Sequence, residues 1–147
     1  MAGGTLNDFE AFLQARGLRL TGQRRRIAAT FLEAEGHLSA DEIYRQVKTR
    51  DARIGSATVY RTLKLLREAG LATGMNVGDG FARYEAPSGR GHHDHLICRA
   101  CGVIVEFENS RIEALQLEVA KKHGFTVTDH RMELYGICGG CRQTPKR

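Results

Sequence analysis

The sequence is poor in proline, with two prolines in 147 residues, and it has no low-complexity tract. Long disordered segments are therefore not expected. No apolar run approaches the roughly 20 residues that a membrane-spanning helix needs. The opening residues MAGGTLNDFEAF also lack the basic start and apolar core of a signal peptide. These absences predict a cytoplasmic protein without a membrane partner, where four cysteines favour metal ligation over disulfides.

Charge and metal-ligating residues are distributed unevenly along the chain. Residues 1–90 carry 14 Lys and Arg against 10 Asp and Glu, whereas residues 91–147 carry 8 against 7. All four cysteines and every histidine except His37 follow residue 90. We therefore predict a basic domain over 1–86, a hinge over 87–91 and a metal-binding domain over 92–147.

The first domain reads as a series of short helices. Apolar residues at helical spacing predict a helix over residues 5–16, and Thr21 is expected to cap a second helix. Ser39 and Glu42 have the spacing of a capping box for a third helix. Ser56 is expected to cap a fourth.

A hairpin is predicted after the fourth helix. Two short segments, 71–77 and 81–86, flank Gly78-Asp79-Gly80, which is typical of a tight turn between strands. Helices joined by short turns and followed by a hairpin are the order of a winged helix-turn-helix. The fourth helix would then lie in the major groove of DNA.

The second domain mixes strands with a helix. Strands are predicted over 93–98, 103–107 and 125–138, and a helix is predicted between the last two, with a capping box formed by Ser110 and Glu113. So small an α/β unit buries little core alone and would gain from a metal and a partner subunit. The whole chain is thus predicted to be of the α+β class.

Four cysteines have the spacing of a metal site. Cys98 and Cys101 form one C-x-x-C pair, and Cys138 and Cys141 form another. Four thiolates complete a tetrahedral shell, which favours Zn²⁺ in a structural role. Redox-active pairs and a disulfide staple are the alternatives.

Four consecutive residues are also rich in ligands. Because successive side chains of a strand point to opposite faces, His93 and His95 would share one face, and His92 and Asp94 the other. The cluster therefore predicts two ligand pairs that serve two separate sites.

Each pair needs partners from elsewhere in the chain. His37, Glu85 and Glu106 could join the first pair, and a mixed shell of imidazoles and carboxylates suits Fe²⁺, Mn²⁺, Co²⁺ or Zn²⁺. Glu113 and His130 could join the second pair. The alternatives are that these residues are solvated, or that Glu113 only closes its capping box.

Several segments together resemble the ferric uptake regulator family. They are GLRLTGQRRRIAATFL, HLSADEIYRQV, IGSATVYRTLKLLREAGL, FARYE, HHDHLICRACGVIVEF, IEALQLEVAKKHGF and CGGC, in that order, and they span about residues 15–141. The resemblance implies a metal-dependent homodimeric repressor that binds palindromic AT-rich operators. A tetramer is the open alternative to the dimer.

The resemblance also implies three metal sites. The regulatory site would consist of His37, Glu85, His93, His95 and Glu106. An additional site would consist of His92, Asp94, Glu113 and His130, and a structural zinc site of Cys98, Cys101, Cys138 and Cys141.

For DNA, the resemblance places Arg19 in the minor groove and Tyr60 and Arg61 against base edges in the major groove. Arginine can pair bidentately with guanine, and tyrosine can pack on thymine methyl groups. Arg24, Arg25 and Arg26 are plausible phosphate contacts, although a run of charges is often only a solvated helix face.

The metal that is sensed is predicted to be Fe²⁺, replaceable by Mn²⁺, Co²⁺ or Zn²⁺, beside a structural Zn²⁺. Peroxide sensors of the family favour aspartate where this chain has Glu85 and Glu106. A zinc, manganese or peroxide sensor of the same family is the main alternative. A zinc-dependent hydrolase is a weaker one, because no catalytic motif accompanies the ligands, as is a purely structural zinc-ribbon interaction module. We therefore predict that the chain is not an enzyme.

Overall fold

A computed structural model describes residues 4–77, 80–87 and 92–143. The chain divides into two compact units, Met1–Gly91 and His92–Arg147, which are called the N-terminal and C-terminal units below. Gly78 and Asp79 of the predicted turn and residues 88–91 of the predicted hinge lie outside the described residues.

Four helices make up most of the N-terminal unit. They are α1 (Leu6–Ala15), α2 (Gly22–Glu33), α3 (Ala40–Arg50) and α4 (Ser56–Glu68).

Local caps determine where α2 and α3 begin. The Thr21 hydroxyl accepts the backbone N–H of Arg24 at 3.2 Å, so it caps α2 as predicted. The predicted capping box of α3 is also present. The Ser39 hydroxyl accepts the N–H of Glu42 at 3.2 Å, and the Glu42 carboxylate accepts the N–H of Ser39 at 2.7 Å. Each such cap satisfies backbone groups that the helix itself leaves unpaired.

The predicted hairpin is present and belongs to a three-stranded sheet. Strands β2 (Thr73–Asn76) and β3 (Ala82–Glu85) pair antiparallel, and the two-residue strand β1 (Leu38–Ser39), which the sequence did not predict, pairs with the other side of β3. The strand order is β1-β3-β2. Helices followed by this hairpin form a winged helix-turn-helix.

The core of the N-terminal unit is made by the helices. Large side chains from all four are at most 1% exposed: Phe9, Leu13, Ile27, Phe31, Ile43, Val47, Val59, Leu63 and Leu66. Burying a side chain of this size contributes roughly 1.5–3 kcal/mol. The core therefore holds α4 firmly by one face, and its opposite face remains at the surface.

The C-terminal unit has a mixed sheet. Its elements are β4 (Asp94–Cys98), β5 (Ile104–Phe107), α5 (Ser110–Lys122), β6 (Glu133–Gly136) and α6 (Gly139–Gln143). The strand order is β5-β4-β6, with β4 antiparallel to β5 and parallel to β6. The α+β class predicted from the sequence is therefore confirmed.

Three local predictions are wrong. The N-cap of α4 is Gly55, and Ser56 is its first helical residue. The N-cap of α5 is Asn109, whose side chain accepts the N–H groups of Arg111 and Ile112, so the box of Ser110 and Glu113 does not form. The strand predicted over 125–138 is limited to β6, because only those residues pair with β4.

None of the helices in the described ranges combines the length and the apolar character that crossing a membrane requires.

The cap of α5 gives a test of the corrected helix start. We expect Asn109→Ala to lower the free energy of unfolding by about 1 kcal/mol, because two helical N–H groups lose their acceptor. Ser110→Ala should change it by less than about 0.5 kcal/mol. Urea unfolding of the metal-loaded protein, followed by circular dichroism, measures both. A larger loss for Ser110→Ala would restore the capping box predicted from the sequence.

Candidate metal centres and nucleic-acid interface

The four cysteines lie together in the C-terminal unit. Cys101 lies in the turn between β4 and β5, which pair antiparallel. The parallel pairing of β4 with β6 places Cys98 beside Gly136, two residues before Cys138. Cys141 follows on α6. Two pairs about 40 residues apart in sequence are thus brought to one place by the sheet register.

The sulfur geometry fits a tetrahedral ion. All four Sγ atoms lie within 4.8 Å of one another, and those of Cys101 and Cys138 are 3.8 Å apart. Zn–S bonds of about 2.3 Å in a tetrahedron separate sulfurs by about 3.8 Å. The four cysteines, all within the described ranges, are free thiols in the structure.

The protonation of this cluster also indicates a cation site. The N–H of Cys138, followed by that of Cys101, lowers the pKa of Cys98 to about 6. In contrast, hydrogen bonds with the side chains of Cys138 and then Cys101 raise the pKa of Cys141 to about 12, because they favour its protonated thiol. A thiolate is the form that binds a metal, so a divalent cation would displace the Cys141 proton, and the spacing of the four sulfurs fits Zn²⁺.

A second cluster in the C-terminal unit combines two imidazoles and two carboxylates. His92 Nε2 lies 3.0 Å from Asp94 Oδ1, and His130 Nε2 lies 3.0 Å from Glu113 Oε2. One ligand atom from each of the four residues lies within 4.8 Å of the others. The structure therefore brings together all four residues of the predicted additional site, and Glu113 contacts histidines instead of closing a capping box.

Asp94 shows why this cluster fits a metal. Its side chain is fully buried, and Oδ2 has no hydrogen-bond partner among the described residues. A buried carboxylate oxygen without a partner costs free energy, and a cation would offset that cost. The donor set suits Zn²⁺, Fe²⁺, Mn²⁺ or Co²⁺.

The predicted regulatory ligands fall into two groups, one in each unit. In the N-terminal unit, His37 Nε2 lies 3.3 Å from Glu85 Oε2, because Leu38 of β1 pairs with Tyr84 of β3. His37 precedes Leu38 and Glu85 follows Tyr84, so the antiparallel pairing places His37 and Glu85 next to each other.

The second group belongs to the C-terminal unit. Residues 95 and 106 are opposite each other in the register of β4 and β5. His93 Nε2 lies 3.6 Å from Glu106 Oε1, and the rings of His93 and His95 are 4.9 Å apart. Each group therefore provides imidazole nitrogens and carboxylate oxygens that could bind a metal ion.

The residues predicted to contact DNA are exposed on the N-terminal unit. Tyr60 and Arg61 lie on the face of α4 opposite its buried stripe, and Tyr60 is 45% exposed. Arg19 is exposed in the loop before α2. Arg24 donates from Nη1 to the carbonyl oxygen of Arg19 at 2.7 Å, so it stabilises this loop, a role that the sequence did not predict.

Comparison with known proteins supports one family. A model of the ferric uptake regulator family matches residues 15–135. A ferric uptake regulation protein of Campylobacter jejuni is 43% identical over 138 residues, which are 92% of this chain and 87% of that protein. These matches confirm the resemblance that was identified from the sequence motifs.

Solved structures give the same result. The Helicobacter pylori ferric uptake regulator Fur, a structure described as revealing three functional metal binding sites, has a TM-score of 0.79 at 28% identity and covers 99% of this chain and 100% of that one. A zinc-bound manganese uptake regulator has a TM-score of 0.61 at 44% identity, with 89% and 98% covered.

The cysteine cluster generates a prediction about metal content. Cys138→Ser should remove one equivalent of chelator-resistant zinc per chain, and the variant should lose folded content in the C-terminal unit, because zinc binding and folding are coupled there. Elemental analysis after gel filtration with a chelator measures the first effect, and circular dichroism the second. His92→Ala is the matched control and should keep this zinc. Full zinc retention by Cys138→Ser would contradict the assignment.

Proposed function

The chain belongs to the ferric uptake regulator family, and from that premise we propose that it is an Fe²⁺-responsive transcriptional repressor of metal-uptake genes. It binds palindromic AT-rich operators as a homodimer in the cytoplasm. The family consists of metal-responsive transcription regulators and not of enzymes, in agreement with the prediction from the sequence. No role as a hydrolase or as a purely structural zinc module is needed.

The observation that carries the proposal is how the regulatory ligands are distributed. His37 and Glu85 lie 3.3 Å apart in the unit that exposes α4, whereas His93, His95 and Glu106 lie together in the other unit. A single cation could be bound by all five of these ligands at once. We propose that the arrangement in which both groups can bind one ion is the one that fits an operator.

The size of such a response depends on differential affinity. A ligand shifts a conformational equilibrium only by as much as it prefers one arrangement over the others. Neither group alone supplies the proposed shell, because the site contains five ligands and the groups hold two and three of them. The proposed site is therefore complete in one arrangement of the units only, which makes the ion a switch.

The cysteines and the second cluster have different proposed roles. The cysteines hold Zn²⁺, which stabilises the C-terminal unit by on the order of 10 kcal/mol. His92, Asp94, Glu113 and His130 form the additional site, entirely within the C-terminal unit. Neither site includes a ligand from the unit that carries α4, so neither is proposed as the switch.

DNA recognition is assigned to the exposed face of α4 and to the loop before α2. Arg61 pairs with guanine and Tyr60 packs on thymine methyl groups in the major groove, while Arg19 enters the minor groove, which is narrow in AT-rich sequences. The net charge of +5, most of which lies in residues 1–90, favours phosphate contacts.

A homodimer is supported by the apolar surface of the C-terminal unit. In the described part of the chain, none of the side chains of α5 is buried, and Leu115 and Val119 are 59% and 55% exposed. Leu96 and Leu134, paired across β4 and β6, are also exposed. So much exposed apolar surface is typical of an interface between subunits. A dimer would also match the two half-sites of a palindrome.

Manganese is the second candidate for the sensed metal. The manganese uptake regulator is 44% identical to this chain and the ferric uptake regulation protein 43%, so overall identity does not separate the two metals. Glu85 and Glu106 are the residues on which the preference for iron over peroxide sensing rests. The choice between iron and manganese is left to the titration below.

The switch can be tested by measuring DNA binding as a function of metal. An operator is first selected from a randomised duplex library with the Fe²⁺-loaded protein under anaerobic conditions. We expect Glu85→Ala and His93→Ala each to raise the Fe²⁺ concentration for half-maximal operator binding at least about tenfold, because each removes a ligand. A parallel titration with Mn²⁺ should require more metal than Fe²⁺ does, whereas one with Zn²⁺ should require less, because imidazole and carboxylate sites bind these ions in the order Mn²⁺, Fe²⁺, Zn²⁺.

His123→Ala is the matched control for that titration, because His123 belongs to none of the three proposed sites. It should respond to Fe²⁺ as the wild type does. A wild-type response from both Glu85→Ala and His93→Ala would show that the switch lies elsewhere, and a stronger response to Mn²⁺ would favour the manganese sensor.

The dimer has its own test on α5. Leu115→Glu should shift the zinc-loaded protein from dimer to monomer in sedimentation equilibrium, because it places a charge in the apolar interface. Lys121→Glu introduces the same residue at a polar position of the same helix and should remain dimeric. If Leu115→Glu were as dimeric as the wild type, α5 would not be in the interface.

A further inference from the structure

The Tyr60 side chain has a partner on the neighbouring helix. Its hydroxyl donates to Oδ1 of Asp41 at 3.2 Å. Asp41 lies in the first turn of α3, where the capping box of Ser39 and Glu42 determines how the helix starts. The Asp41 carboxylate therefore projects from a capped helix start that lies beside the exposed face of α4.

The surroundings of this hydrogen bond form a cleft of about 280 Å³ within the N-terminal unit. Its walls are the start of α3, Tyr60 of α4, and the part of the hairpin that includes Phe81 and Arg83. Both Asp41 and Tyr60 are at the surface, so both would face bases or phosphates if α4 lay in a DNA groove. Desolvation, and next the negative charge of Asp41, raises the pKa of Tyr60, so the phenol keeps the proton that it donates.

We propose that Asp41 determines sequence specificity by acting through Tyr60, an inference that rests on the proposed DNA-binding function. Asp41 is a positioning residue in this scheme, because Tyr60 makes the contact with the base. Its carboxylate fixes the orientation of the phenol ring and occupies the only hydrogen-bond donor of the hydroxyl.

The consequence for base reading follows from the chemistry of the phenol. A free hydroxyl can donate to N7 or O6 of guanine and to O4 of thymine, and it can also accept from the amino groups of adenine and cytosine. With its proton directed to Asp41, the Tyr60 oxygen can only accept, while the ring still packs on thymine methyl groups. Asp41 thus excludes base contacts that Tyr60 alone would allow. Its negative charge also repels phosphates and so weakens binding to unrelated sequences.

The inference is tested with the full-length, Fe²⁺-loaded protein and the randomised duplex library. Wild type, Asp41→Ala, Asp41→Asn, Tyr60→Phe and the double variant Asp41→Ala/Tyr60→Phe are compared by the base preference of the sequences that they select. Asp41→Ala should lower discrimination two- to tenfold at the base pair that Tyr60 contacts, about the effect of one hydrogen bond. Asp41→Asn, whose amide oxygen still accepts from the hydroxyl, should restore the preference.

The double variant separates a role through Tyr60 from a general structural role. If Asp41 acts through the hydroxyl, Asp41→Ala has no further effect on base preference once Tyr60 is phenylalanine. An equal loss of preference in both backgrounds would overturn the inference, and so would wild-type preference in Asp41→Ala. Glu33→Ala, which removes a carboxylate of the same unit without contact to Tyr60, is the charge control and should leave base preference unchanged.

The two proposals fail in different ways. If the Fe²⁺-loaded wild type selects no preferred sequence, the proposed function is wrong. If it selects an operator and Tyr60→Phe alters the preference while Asp41→Ala does not, DNA binding stands and the role of Asp41 is wrong. Thermal unfolding of each variant verifies that it is folded. Tyr60→Phe has no hydroxyl, so it should lose the acceptor contact with the base without gaining the additional base contacts that Asp41→Ala allows.

Discussion

Successive side chains of a strand point to opposite faces of its sheet, and the positions of the metal-ligating residues in the C-terminal unit follow from this constraint on β4. Asp94 and His95 are adjacent in sequence but belong to different ligand groups. Asp94 lies 3.0 Å from His92, whereas His95 lies opposite Glu106 in the register with β5. Cys98 ends the same strand and begins the cysteine cluster. One five-residue strand therefore supplies candidate ligands to each of the three proposed sites.

Features that depend on local sequence could be predicted, and those that depend on distant partners could not. The caps at Thr21 and Ser39, the C-x-x-C pairs and the alternation around Asp94 are all set within a few residues. The N-caps of α4 and α5 were each misplaced by one residue, because Gly55 and Asn109 precede serines that are also good caps. In both cases the sequence offers two adjacent candidates, and only the backbone conformation selects one.

Long-range pairing explains the remaining differences. Strand β1 has two residues and exists only because β3 pairs with it. The alternation in residues 125–132 resembles a strand, yet only Glu133–Gly136 pairs with β4. The contact between Asp41 and Tyr60 joins residues 19 positions apart on two helices, and no local pattern indicates it. The grouping of His92 and Asp94 with Glu113 and His130 was predicted, but the residue pattern alone also allowed Glu113 and His130 to be solvated, because the contact between them depends on the fold.

The surface of α5 has a consequence for how stability is regulated. All the side chains of α5 are at least partly exposed within their own chain. Under the proposed dimer, the second subunit covers this helix and stabilises it. The stability of the C-terminal unit then depends on protein concentration by mass action. Its melting temperature would rise with protein concentration. Dilution would favour separated subunits, which expose Leu115 and Val119 to proteases and to aggregation. The lifetime of the protein would then increase with its concentration.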